Sequence, residues 1–296
     1  MNILKHTSDW FDTHKNDMLF VGMKRLRKTR RSMMGFYVVA FVTIMAIFAP
    51  LISPHDPNAL SSNILSPPGT GTHLLGTDDF GRDTLSRLIW GAQASLYVGA
   101  ISVSIATVIG TTLGMIAGYY RGVKDEIIMR FADGLLAFPS ILLALLVIAV
   151  LGPTLFNMMI AIGIVFIPLF IRISRATTIS IVERDHVVAA KAIGESDFGI
   201  ILHEILPNSL APIIVQATFN FSQAILVEAF LSFIGLGVQP PTATWGSMID
   251  VGRSWLETSP WLALFPGIFI SLTVLALNLL GDGLRDAFDP RLLDVT

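Results

Sequence analysis

Cysteine is absent from the 296-residue chain, which excludes a disulfide framework, a thiolate zinc site and a cysteine nucleophile. Charge is scarce. Only 14% of residues are Asp, Glu, Lys or Arg, against about 25% in soluble domains. Catalytic spacings are missing as well. No G-x-S-x-G occurs, and His203-Glu204 has no second histidine three residues on, so neither a serine-hydrolase elbow nor a zinc-protease helix can be drawn. None of the six lysines follows a glycine, which rules out a Walker A loop. The chain is therefore expected not to be an enzyme, to bind no cofactor of its own and to contact no nucleic acid. Any ATP hydrolysis that drives it must come from a partner.

What the sequence does contain is apolar. At 53% hydrophobic residues, it reads as an integral membrane protein. The polar amino-terminal stretch before "KRLRKTRR" shows no short apolar core with a small-residue cleavage site, so no removable signal peptide is expected. Charge at the bilayer centre costs about 2.5 to 3.5 kcal/mol per residue, so charge-free runs locate the spans. They run from Ser32 to His55, Leu88 to Tyr120, Gly134 to Ile171, Ile205 to Val227 and Thr258 to Gly281. The third covers 38 residues and is interrupted by "GPT" at Gly152 to Thr154. A span needs about 20 residues, so this run reads as two helices joined by a tight turn. Six spans result, at about 34–53, 95–119, 134–152, 156–174, 210–236 and 260–281.

The distribution of cations tests that count. With both termini on the cytoplasmic side, 17 of the 20 Lys and Arg residues fall inside and only Arg82, Arg87 and Arg253 outside, as the positive-inside rule requires. Treating 134–171 as one span would put the block from Arg172 to Lys191 outside and spoil the bias. The organisation expected is a cytoplasmic segment 1–33, a first span with an outer loop over 34–94, a five-helix core over 95–281 and a cytoplasmic tail 282–296. The outer loop, about 54–94, is too short and Pro-rich for a receptor domain.

Within the cytoplasmic loop between spans four and five lies "VVAAKAIGESDFGIILHEILP", residues 187–207. Gly194 is placed to cap one short helix, Ser196 to start a second and Pro207 to end it. Ala189 and Ala190 offer a flat surface for close approach by another protein. Phe198, Ile201 and Ile205 recur at helical spacing as an apolar face. Spacing alone fits equally an amphipathic helix lying on the inner leaflet and a docking element.

The run from Ala189-Ala190 through Gly194 to Leu206-Pro207 resembles the "EAA" loop of ABC importer permeases, by which a membrane subunit docks on its ATPase. Val188 stands where that motif has glutamate, and Glu204 where isoleucine is usual. "HLLGTDDFGRDTLSRLIWGAQASL" (73–96), "EAFLSFIGLGVQPPTATWGSMI" (228–249), "PWLALFPG" and "LNLLGDGLRDAFDPRL" are similar to the C-type permease subunit of dipeptide and oligopeptide ABC importers, and the resemblance covers about residues 35–292. It implies an all-α, six-span type I permease fold in the bacterial or archaeal cytoplasmic membrane. It implies as partners a second, usually non-identical permease, two ABC ATPase subunits that bind ATP and Mg, and an external substrate-binding protein. Docking would fall to the loop 183–209, through Ala189, Ala190, Gly194, Glu204, Leu206 and Pro207. Transport would proceed by alternating access. The ligands of such importers include dipeptides, longer peptides, glutathione and nickel or other metal chelates, and no residue in the sequence separates these.

Several polar residues carry two readings. Gln216, Asn220 and Gln223 fall within about 60 degrees of one another on a helical wheel. Such a stripe serves helix-to-helix hydrogen bonding or a translocation pathway, and the resemblance, in which span five lines the pathway, favours the second. Glu228 is the acidic residue inside a proposed span, where it either packs structurally or belongs to that pathway. His73, Asp78, Asp79 and Asp83 lie close in sequence, but this spacing does not establish a metal site, and no metal is assigned. Helix initiation is the simpler reading, with Asp78 and Asp79 complementing the start of span two and Asp83 paired with Arg87 at i, i+4.

Overall fold

The computed structural model describes residues 29–288, so the expected amino-terminal segment up to residue 28 and the tail beyond residue 288 lie outside the described residues. Among these residues the regular structure is helical. It comprises α1 (Arg30–Ile47), a short α2 (Ala49–Ile52), α3 (Thr84–Tyr120), α4 (Gly122–Leu136), α5 (Ser140–Leu151), α6 (Leu155–Val182) and α7 (Asp185–Ala192). Then come α8 (Asp197–Phe233), α9 (Trp245–Arg253) and α10 (Trp261–Phe288).

Among the described residues, five helices, α1, α3, α6, α8 and α10, are long and apolar enough to cross a membrane. The pair α4 and α5, bent by 92°, supplies a sixth crossing when counted as one broken span. Here the expected third span, 134–152, is corrected: its helix begins only at Ser140. Pro139 lacks an amide hydrogen and biases Phe138 away from helical dihedrals, so the chain turns between α4 and α5. At 12 residues α5 is about 18 Å long, short of the hydrocarbon core. The "GPT" break is present as expected, with Gly152 at φ +90° and Thr154 capping α6 by accepting from Asn157 N. Span two also starts earlier than 95, because Asp83 caps α3 directly ahead of Thr84.

Glycine decides how closely α3 and α6 approach. Gly110, Gly114 and Gly118 recur at i, i+4 and place a bare backbone against Ile167, Ile171 and Arg175. A methyl group on Gly114 would lie 2.5 Å from the carbonyl oxygen of Ile171, and one on Gly118 2.8 Å from that of Arg175. Lipid provides no hydrophobic drive between helices, so contact of this kind, with dispersion over a close interface, is what holds them. Phe170 and Ile171 of α6 are fully buried there.

A second packing centre surrounds Trp245. Its ring is fully buried and its indole Nε1 donates to the carbonyl of Leu88 at 3.0 Å, which seats α9 on α3. Gly252 brings α9 against the backbone of α10 at Leu262 and Ala263. Apolar side chains of α1 such as Tyr37 and Phe41 remain exposed, as a face turned to lipid or to another subunit would be.

Candidate coupling loop, pathway face and outer cluster

The loop begins with α7, whose Asp185 and Lys191 sit at the ends where each complements the helix dipole. Gly194 ends it at φ +87°. Glu195 N donates to Ala190 O at 3.1 Å and Gly194 N to Lys191 O at 3.2 Å, the paired bonds of a Schellman turn. Ser196 then accepts from Gly199 N and opens α8. The bend is as the sequence predicts.

The second helix departs from expectation. Pro207 does not end it, since α8 runs unbroken from Asp197 to Phe233. A wider π-helical stretch at Ile200–Ile205 precedes the proline and accommodates its ring and missing donor. That stretch also breaks the expected apolar face: Phe198 is exposed, Ile201 half-buried and Ile205 fully buried. The two alanines part as well, Ala189 being exposed and Ala190 buried. Glu204, Leu206 and Pro207 are half-buried, and Glu204 faces His186 of the same loop at 4.0 Å.

The apolar surface that the loop does present is Val188, Ile193, Phe198 and Leu202, with Ile193 75% and Phe198 74% exposed. Ile193 and Leu202 escape sequence reasoning, because only the Schellman turn and the π stretch rotate them outward. Side-chain bonds clamp the loop to the body. Tyr119 Oη donates to Asp197 Oδ1 at 2.7 Å, and Arg121 Nη2 to Glu183 Oε1 at 2.7 Å.

The polar stripe of α8 divides. Gln216 borders a cavity of about 980 Å³ between α6, α8 and α10, together with Arg184, Asn208 and Arg285. Gln223 is exposed. Asn220, by contrast, is buried and accepts from Gln216 Nε2 at 3.0 Å. Glu228 is fully buried and accepts from Ser95 Oγ of α3 at 3.0 Å and from Ser232 Oγ at 2.8 Å. Asn220 is thus bonded within α8, and Glu228 both within α8 and across to α3.

On the other side, the acidic cluster separates into two. Asp78 takes Arg82 Nε at 2.7 Å and lies 3.4 Å from Arg87 Nε. Arg87 thus pairs with Asp78 and not with Asp83 as the i, i+4 spacing suggests. Asp79 is raised above the usual carboxylate range by burial and by Asp78 beside it. Asp83 caps α3, accepting from Ser86 N at 2.8 Å and Ser86 Oγ at 2.6 Å. Its other oxygen meets His73 Nδ1 at 2.9 Å. Burial opposes ionisation of Asp83, but the bonds from Ser86, the bond from His73 and the nearby His55 outweigh it and hold the carboxyl below its usual range. His55, which the sequence does not single out, lies beside this group on the wall of a second cavity of about 990 Å³.

Comparison with known proteins gives these features a family. Residues 110–294 match the binding-protein-dependent transport system inner membrane component. Residues 21–68 match the N-terminal transmembrane domain of oligopeptide transport permease C. The chain is 48% identical over 270 residues to the dipeptide transport system permease protein of Alkalihalophilus pseudofirmus, covering 91% of this chain and 88% of that one. It is 42% identical over 259 residues to the glutathione transport system permease protein of Pectobacterium atrosepticum, covering 87% and 86%. The fold is similar to that of a chain in an inward-facing structure of the MetNI methionine ABC transporter, at 16% identity and a TM-score of 0.56, covering 69% of this chain and 97% of that one. The chain belongs to the family of binding-protein-dependent transport system inner membrane components, and it is a multi-pass permease subunit of an ABC importer.

Proposed function

We propose that this chain pairs with a second, non-identical permease to form the pathway for peptides or related small ligands delivered by an external binding protein. Two ATPase subunits, holding ATP and Mg, drive it through the loop 183–209, and both termini lie in the cytoplasm. Chemically the chain only binds and moves; hydrolysis belongs to its partners. Supporting the peptide assignment are relatives named for dipeptide, di/tripeptide and glutathione transport.

One observation carries the coupling reading. Ile193 and Phe198 stand about three-quarters exposed on a loop that is hydrogen-bonded to α3 and runs without a break into α8. An apolar pair held out on a rigid element is a surface for a partner's pocket. Since Phe198 and Gln216 share one helix, displacement at the loop moves the pathway face with it.

The test is Phe198→Asp with Ile193→Asp in the full transporter. Charge at both positions should abolish co-purification of the ATPase and ligand uptake, while the amount of permease in the membrane stays near normal. Retained ATPase and full uptake would return the loop to a surface helix on the inner leaflet.

A further inference from the structure

Three side chains from separate parts of the outer segment converge, and one of them, His55, lies outside the sequence cluster from His73 to Asp83. His55 follows α2, His73 lies in the turn 70–76, and Asp83 caps α3. One ligand atom from each lies within 4.8 Å of the others. His73 Nδ1 is 2.9 Å from Asp83 Oδ1, and His55 Nδ1 is 3.7 Å from Asp83 Oδ2. The imidazole rings lie side by side, with centroids 4.8 Å apart.

His55 Nδ1 is the telling atom. It is buried from solvent and has no hydrogen-bond partner, yet it faces a carboxylate oxygen at a distance too long for a hydrogen bond. A buried polar atom without a partner is costly. A cation between the three groups supplies that partner.

We propose that His55, His73 and Asp83 form a site for a divalent transition metal of the zinc class, which staples the outer segment to the start of α3. The donor set of two imidazoles and one carboxylate suits zinc, with nickel and copper as competitors. Bond lengths of about 2.0 to 2.1 Å place neighbouring ligand atoms of a tetrahedral ion roughly 3.3 Å apart. The two His–Asp separations, which run to different oxygens of Asp83, bracket that value, and with all three ligand atoms within 4.8 Å of one another a movement of up to about 1.5 Å closes the set. His73 gives up its Nδ1 proton by passing to the Nε2–H tautomer, which leaves the net charge of the ring unchanged.

The supporting shell is in place. Ser86 Oγ donates to Asp83 Oδ2 and accepts from the backbone amide of His55 at 3.1 Å, so one hydroxyl fixes two of the three ligand-bearing residues. Hydrogen bonds of this kind orient metal ligands. The cavity bordered by His55 gives the ion an entry path.

The experiment uses the full-length chain with its transporter subunits in detergent, purified without a histidine tag and titrated with zinc ion. Bound metal is measured by elemental analysis and protease cleavage between residues 53 and 83 is followed in parallel. One zinc per copy of this chain and slower cleavage are expected. Losing an outer-shell partner alone weakens metal binding about 10- to 100-fold, so His55→Ala should cost at least about 100-fold and cancel the protection. That variant leaves the Asp83 cap and the His73 contact in place, and His55→Asn, which keeps bulk without an imidazole, should behave alike. No zinc on the wild-type chain, or equal zinc on both variants, would show a hydrogen-bonded cluster only and overturn the proposal.

Discussion

Ser95 Oγ of α3 donates to Glu228 Oε2 of α8 at 3.0 Å, and the carboxylate that receives it is fully buried. This bond joins two helices 133 positions apart in sequence. Removing the acceptor leaves the hydroxyls of Ser95 and Ser232 unpaired inside the protein, at about 1 to 3 kcal/mol each. Glu228→Leu is therefore expected to reduce the amount of permease in the membrane, and Glu228→Gln, which keeps an acceptor oxygen, to restore most of it. Immunoblots of membranes beside uptake assays check this. Normal amounts of the leucine variant with lost uptake would instead put Glu228 in the pathway.

The α3–α6 interface gives a steric prediction. Gly114→Leu must displace the carbonyl of Ile171, from which even a methyl group would lie 2.5 Å away. Overpacking of this kind costs about 1 to 3 kcal/mol or more, and a marked loss of folded protein on heating in detergent is expected. Gly134→Ala, where an added methyl meets nothing within 4 Å, should change stability by less than about 1 kcal/mol.

At the loop, Gly194→Val acts through the backbone alone. An added side chain has open space there, but φ is +87°, and a β-branched residue held in that region costs about 1 to 3 kcal/mol. The turn that holds out Ile193 should loosen, lowering ATPase association while insertion is unaffected. Gly194→Asn, which tolerates positive φ better, should be milder in the same pull-down assay.

Asp83 predicts a dependence on pH. Its folded pKa is depressed, so its contribution is fully present above the unfolded value of about 3.9 and is lost as pH falls through the lower folded value. Protease cleavage of the outer segment should rise below about pH 4. In Asp83→Asn, which keeps a capping oxygen, that rise should flatten. An identical pH profile in the variant would remove Asp83 as its cause.

Orientation is open to direct measurement. Reporter fusions after Leu60 and Gly252 are expected to report the outer side, and fusions after Lys124, Ala192 and Arg291 the cytoplasm. An external signal after Ala192 would overturn the coupling role.

Much of the architecture was legible because membrane insertion imposes a one-dimensional rule. Charge is excluded from long stretches, so the gaps between charges mark the helices, and the cations left at their ends predict which side they face. The turn at Gly194 was legible for a local reason, since a Schellman cap depends on neighbouring residues only. Pro139 shows where such reading fails: a proline in an apolar run ends one helix or kinks it, and packing against the rest of the chain decides which.

Properties that depend on distant parts of the chain came only from the tertiary structure. Asn220 shares a wheel sector with Gln216 and Gln223 yet is buried, because the sector a neighbouring helix covers is set by packing and not by period. Spacing paired Arg87 with Asp83, whereas folding gave Arg87 to Asp78 and brought His55 to Asp83 across 28 residues. Sequence alone determined the class, the apolar stretches and the turn at Gly194, because each follows from local chemistry and solvation. Which polar groups meet was decided by tertiary structure, because in a low-dielectric interior a polar atom must find its partner wherever the packing places one.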